Sequence, residues 1–152
     1  MKPIIRRVLC VALLASGGPA AAAPPAAEAC LPTIQEGWLR LPPVDMPMLA
    51  GFARIANDCA APVAIVAASS PGFATVELHE TRVVDGVSRM RAVPELAVAA
   101  GGEAVLEPGG MHLMLMHPRA PLAAGERVEV VFTLADGRVA EGAFEVRSAV
   151  AR

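Results

Sequence analysis

The residues with the clearest capacity for chemistry are imidazoles and thioethers that recur at strand-like spacing. In the run Met111-His112-Leu113-Met114-Leu115-Met116, one His and two Met alternate with leucines. Extended chain has a period of two, so His112, Met114 and Met116 share one face while the leucines take the core side. A second grouping lies upstream. Two β-like runs, Thr75 to Val84 and Val87 to Val93, flank Asp85-Gly86, a strong two-residue type I′ hairpin signal. That turn sets Val84 opposite Val87 and Thr81 opposite Met90. Met90 thereby becomes the diagonal neighbour of His79 on one sheet face.

This combination selects a metal. Thioether sulfur is soft and uncharged, a poor ligand for Zn²⁺, Mg²⁺ or Ca²⁺ and a good one for Cu(I). It cannot be lost to disulfide formation, so it suits an oxidising compartment. Cu(I) has a filled d shell and imposes little geometry, and neutral ligands that can leave one at a time suit transfer. Neutral imidazole is required, so binding is expected to weaken below about pH 6.5. Each signal alone is weak: a lone His on a β face is usually solvated, and a single Met is usually packing. From the residues alone, a copper site therefore stands beside a plain structural or interaction domain.

Other chemistries fit poorly. A blue-copper centre needs a Cys thiolate with two His, and Cys30 and Cys59 lie far from the His-x-Met strand. No Ser/His/Asp arrangement or paired carboxylate is evident, so an enzyme is not expected. A formal charge of −2 gives no basic field for nucleic acid or an anionic membrane. With 3% aromatic residues and no Tyr, no stacking platform for bases or sugars is expected either.

The elements that must position these residues read as β throughout. Val-rich runs broken by Gly and Pro recur: Gly37 to Leu41, Leu49 to Ala56, Val63 to Ala68, the hairpin, Glu103 to Glu107, Met111 to Met116, Arg127 to Leu134 and Val139 to Val146. No helix is convincing beyond the N-terminal segment, and the fold class is an all-β sandwich or small Greek-key barrel. Met46 and Met48, in an irregular Pro-rich stretch, are a possible auxiliary soft pair, with loop packing the commoner reading. Met116 is a further auxiliary ligand candidate. His117 has the other parity, beside Pro118, and reads as a loop residue.

Residues 1–23 read as an export signal: Lys2, Arg6 and Arg7, then the apolar core Val8 to Ala15, then small residues Ala20 to Ala23. Residues 24–36 form an Ala- and Pro-rich leader, 37–147 the single domain and 148–152 a tail. Cys10 leaves with the signal. Cys30 and Cys59 remain as a pair for an oxidising compartment, and a bridge would restrict the unfolded chain by roughly 3–4 kcal/mol. Neither Cys10 nor Cys30 follows the Leu-x-small pattern of a lipid-modified cysteine, so the expected mature form is soluble and periplasmic, with no membrane anchor after processing.

At these residues the sequence resembles a known family. Val76-Glu77-Leu78-His79-Glu80-Thr81, then Asp85-Gly86-Val87 and Arg89-Met90-Arg91, then Pro108-Gly109-Gly110-Met111-His112-Leu113-Met114-Leu115-Met116, are similar to the periplasmic copper chaperones called PCuAC. The family's pattern has ten residues between the first His and the Met, then twenty-one before a His-x-Met; His79, Met90, His112 and Met114 match it without a gap. The resemblance spans roughly Gly37 to Val146. It implies a cupredoxin-like Greek-key barrel holding one Cu(I) through two His and two Met. It also implies delivery to an apo cuproprotein, notably the copper-A centre of cytochrome c oxidase, in some members beside a thioredoxin-like assembly partner. Copper scavenging or resistance is the alternative use of such a site. The Cys30–Cys59 pair lies outside the ligand pattern, and no His- and Met-rich tail follows the domain as in some members.

Overall fold

A computed structural model describes residues 30–44 and 46–149 of the chain. The proposed signal, residues 1–23, lies outside the described residues, as do residues 24–29 of the leader and 150–152 of the tail. Ten strands follow in order: β1 (Thr33–Arg40), β2 (Met48–Asn57), β3 (Val63–Ser69), β4 (Phe73–Val84) and β5 (Val87–Ala92). Then come β6 (Leu96–Val98), β7 (Gly102–Leu106), β8 (Met111–Pro118), β9 (Arg127–Leu134) and β10 (Val139–Arg147). Among the described residues there is no helix.

The strands form a closed barrel in the order β4-β8-β2-β1-β10-β9-β3, with β3 returning to β4 through Ala68 and Val76. The β1–β10 pairing is parallel; the others are antiparallel. β5 hangs from β4, β6 from β3, and β7 extends the second half of β2. This is the cupredoxin-like all-β fold expected from the sequence.

The alternation that suggested strands is the alternation that fills the barrel. Along β10 every second residue is buried, and Phe144 and Val146 enter the core with Val130, Phe132 and Leu134 of β9. Leu113 and Leu115 of β8 are fully buried beside Leu39, Ile55 and Leu49. Burying each such side chain contributes about 1.5–3 kcal/mol. One close approach depends on glycine: a Cβ at Gly142 would sit 2.5 Å from Ile34 Cγ2.

That contact corrects the expected leader. Ordered chain begins before residue 37, because Thr33, Ile34 and Gln35 pair with Ala56, Ile55 and Arg54 of β2. A bulge between Gln35 and Trp38, with Glu36 at φ 54°, then resets the register. Leu96–Val98 also escaped the sequence reading, being three residues long and following Pro94. His117 is the penultimate residue of β8 rather than part of a loop, exposed and at φ 53°.

The far end of the barrel is tied shut. Cys30 is bonded to Cys59, joining the start of β1 to the β2–β3 turn, with Cα atoms 5.7 Å apart. Fully buried Asn57 donates from Nδ2 to the carbonyls of Ala61, Val98 and Ala99 at 3.0, 3.1 and 3.0 Å. Its Oδ1 accepts from the Cys59 N–H at 3.2 Å. One side chain thus satisfies polar backbone groups of two segments, the β2–β3 turn and the end of β6.

Candidate metal centre

The hairpin forms as its turn residues require. Asp85 and Gly86 take φ 53° and 76°, and Val84 pairs with Val87, Arg82 with Arg89 and Thr81 with Met90. Both turn residues therefore occupy the left-handed region that a type I′ turn needs. Glu80 pairs across the hairpin with Arg91, and its carboxylate is held at 2.8 Å by both Arg82 and Arg91. Hydrogen bonding from Arg82 first, and the charges of both arginines, hold the Glu80 carboxyl below its usual range.

The decisive pairing is β4 with β8, which sets His79 directly opposite His112 and Glu77 opposite Met114. The hairpin brings Met90 to the same face, and β8 parity adds Met114. All four predicted ligands thus lie on one outward face, supplied by three neighbouring strands. The imidazole centroids are 6.2 Å apart.

Hydrogen bonds determine which nitrogens are free. His112 Nδ1–H donates to the Gly110 carbonyl at 3.0 Å, because a carbonyl can only accept. The same oxygen accepts the Thr81 backbone N–H at 3.0 Å. His112 Nε2 then carries a lone pair, and it faces the Met90 sulfur at 3.2 Å. Two electron-pair donors converge there, an arrangement that a soft cation between or beside them would reward.

His79 shows the same economy. Its Nε2–H donates to the Glu77 carboxylate at 2.9 Å, leaving the Nδ1 lone pair free. Among the described residues, Nδ1 is the buried side-chain nitrogen or oxygen without a hydrogen-bond partner. Such orphans are rare in folded proteins and call for a ligand or a water. Glu77 does what carboxylates do behind metal-bound imidazoles, fixing the tautomer and ring orientation. The sequence reading missed Glu77, although its parity with His79 was visible.

The surroundings are apolar and firm. Phe52 of β2 lies on the outer face yet is 2% exposed. The Trp38 ring covers it at 4.5 Å, the Arg40 guanidinium at 5.3 Å, and the His112 ring stands 6.5 Å away. His112 is itself buried, whereas Met90 is more than half exposed. A cavity of about 320 Å³ opens here, lined among others by Met48, Met90, His112 and Met114. Met116 and His79 border the same face outside that lining, and Met46 lines a different cavity together with Leu41 and Pro118.

The family described as "Putative lipoprotein LpqE-like" matches residues 32–146. The chain belongs to this PCuAC-type family. A protein of Leifsonia xyli subsp. xyli, also described as a "Putative lipoprotein", is 31% identical over 130 residues, covering 85% of this chain and 77% of that protein. The solution structure of CuI-DR1885 from Deinococcus radiodurans superposes with a TM-score of 0.63 at 30% identity, covering 80% of this chain and 81% of that one. The apo PCuAC domain from PmoF1 superposes with a TM-score of 0.62 at 17% identity, covering 76% and 92%, a likeness of fold. The lipoprotein description does not extend to Cys30 as a point of attachment, since its sulfur is bonded to Cys59.

Proposed function

We propose that this protein is an exported, envelope-associated copper chaperone that binds one Cu(I) through His79, Met90, His112 and Met114. The observation that carries the reading is a pair of imidazole nitrogens on one face that no hydrogen-bond acceptor occupies, one of them against a thioether. His112 Nε2 stands 3.2 Å from the Met90 sulfur, and His79 Nδ1 is buried without a partner. Two neutral nitrogens and two soft sulfurs suit Cu(I) and discriminate against hard cations. The likeness to a Cu(I)-bearing relative at 30% identity supports the same cargo here.

The site is built for transfer rather than catalysis. Two strands, β4 and β8, hold the two imidazoles and Met114 against the barrel, while Met90 sits on the exposed outer strand β5. An acceptor can approach from that side, displace Met90 first and then take the ion from the deeper ligands. The proposed acceptor is an apo cuproprotein in the periplasm, the copper-A domain of cytochrome c oxidase above all, with a thioredoxin-like assembly protein as a possible companion. Mixing the Cu(I)-loaded protein with an apo copper-A domain tests this directly. The copper-A absorption bands should grow after reoxidation as this protein loses its copper. Retention of copper by this protein, with no signal in the acceptor, would favour scavenging instead.

A further inference from the structure

The four proposed ligands leave two neighbouring thioethers unexplained. Met48 opens β2 and pairs directly with Met116 of β8, and Ala50 pairs with Met114. All three methionines therefore stand on the outward face, with Met48 one diagonal step from Met114. The local ladder brings the first pair especially close. The His117 N–H donates to the Pro47 carbonyl at 2.7 Å, so the adjoining Met48–Met116 pair is the non-hydrogen-bonded kind. Side chains at such pairs approach most closely, with Cα atoms about 4.5 Å apart.

Their setting is not that of ordinary packing. Each of the three is half-buried on the outer face, not in the core with Leu49, Leu113 and Leu115. Met48 lines the same cavity as Met90, His112 and Met114. The partner imagined for Met48 from sequence, Met46, lies against a different cavity and is 42% exposed. Three thioethers from two adjacent strands provide what Cu(I) needs for low-coordinate, all-sulfur binding.

We propose that Met48, Met114 and Met116 form a second, weaker Cu(I) position that shares Met114 with the main site. It rests on the chaperone reading for its cargo. The ion stays Cu(I) throughout: alone, it exchanges two imidazoles and Met90 for Met48 and Met116 while Met114 remains bound; with a second ion present, Met114 passes to that ion and the first keeps the two imidazoles and Met90. No electron or proton moves. The device gives copper a route along the β2–β8 face, separate from the exit over β5.

The test is an anaerobic Cu(I) titration of protein carrying ¹³C-methyl methionine, read by NMR. The first equivalent should shift the Met90 and Met114 methyls. Further Cu(I) should shift Met48 and Met116 together while Met46 stays still. Met48→Leu and Met116→Leu preserve volume; each should leave the first response intact and abolish the second. Met48 and Met116 methyls that never move, or that move only as much as Met46, would overturn the proposal. If Met48 and Met116 respond but Met90 does not, the chaperone site fails and the thioether position stands.

Discussion

The two halves of β2 make an instructive contrast. The half from Ala53 to Asn57 ends in a side chain whose donors and acceptor are all engaged, next to a disulfide. The half from Met48 to Phe52 borders a face where a buried imidazole nitrogen has no partner and another points at a thioether. Both regions bury polar groups in apolar surroundings, a costly arrangement unless they are paired. One region meets that cost internally and the other leaves it for a ligand. Saturated polar groups hold the fold, and unsaturated ones advertise the site.

The largest effects should come from breaking the saturated end. Cys30→Ser with Cys59→Ser removes the bridge and should lower stability by about 3–4 kcal/mol, measured as urea unfolding of the apo-protein. Asn57→Ala strands three carbonyls and an N–H in the interior, and should cost about 3 kcal/mol. In both variants the molecules that remain folded should bind Cu(I) with unchanged affinity. An affinity loss matching the stability loss would show that the two ends are not separable.

Gly142→Ala sharpens the comparison away from both ends. The new methyl meets Ile34 at 2.5 Å, and should cost roughly 1–3 kcal/mol through overpacking. Wild-type stability in this variant would mean that β1 gives way easily there.

The open end should behave in the opposite sense. His79→Leu removes the orphaned nitrogen, so the apo-protein should stay within about 1 kcal/mol of wild type or become more stable. Its Cu(I) binding should nonetheless be lost, as judged by competition with a chelator. Marked destabilisation would reveal a hydrogen bond hidden from this account. Smallest of all is Glu80. Its carboxyl is held low by Arg82 and Arg91, so its contribution to the hairpin is present at neutral pH. That contribution disappears only as pH falls through the lowered value. The ¹³C titration of the Glu80 carboxyl should show a midpoint below the ordinary range, and an ordinary midpoint would break the clamp.

What was legible in the sequence follows from the range of the signal. Asp85-Gly86 dictates its turn locally, so the register of Met90 against Thr81 could be read without coordinates. The alternation of His112, Met114 and Met116 with Leu113 and Leu115 likewise announced which face is core. The pairing of β4 with β8 could not be read that way. It joins segments separated by three other strands, and only the family resemblance linked them. Met48 was visible as a soft side chain, but its pairing with Met116 was hidden because Pro42, Pro43 and Pro47 disguise the approach to β2, and the strand begins at Met48 itself. Thr33 to Glu36 were hidden by a bulge that breaks the alternation expected of β1.

The most direct test of the central claim is X-ray absorption at the copper edge of the stoichiometric Cu(I) complex, prepared anaerobically. The wild type should give a Cu(I) edge with two nitrogen and two sulfur neighbours, one nitrogen lost in His112→Ala and one sulfur in Met114→Leu. An unchanged shell in both variants, or one without nitrogen in the wild type, would contradict it.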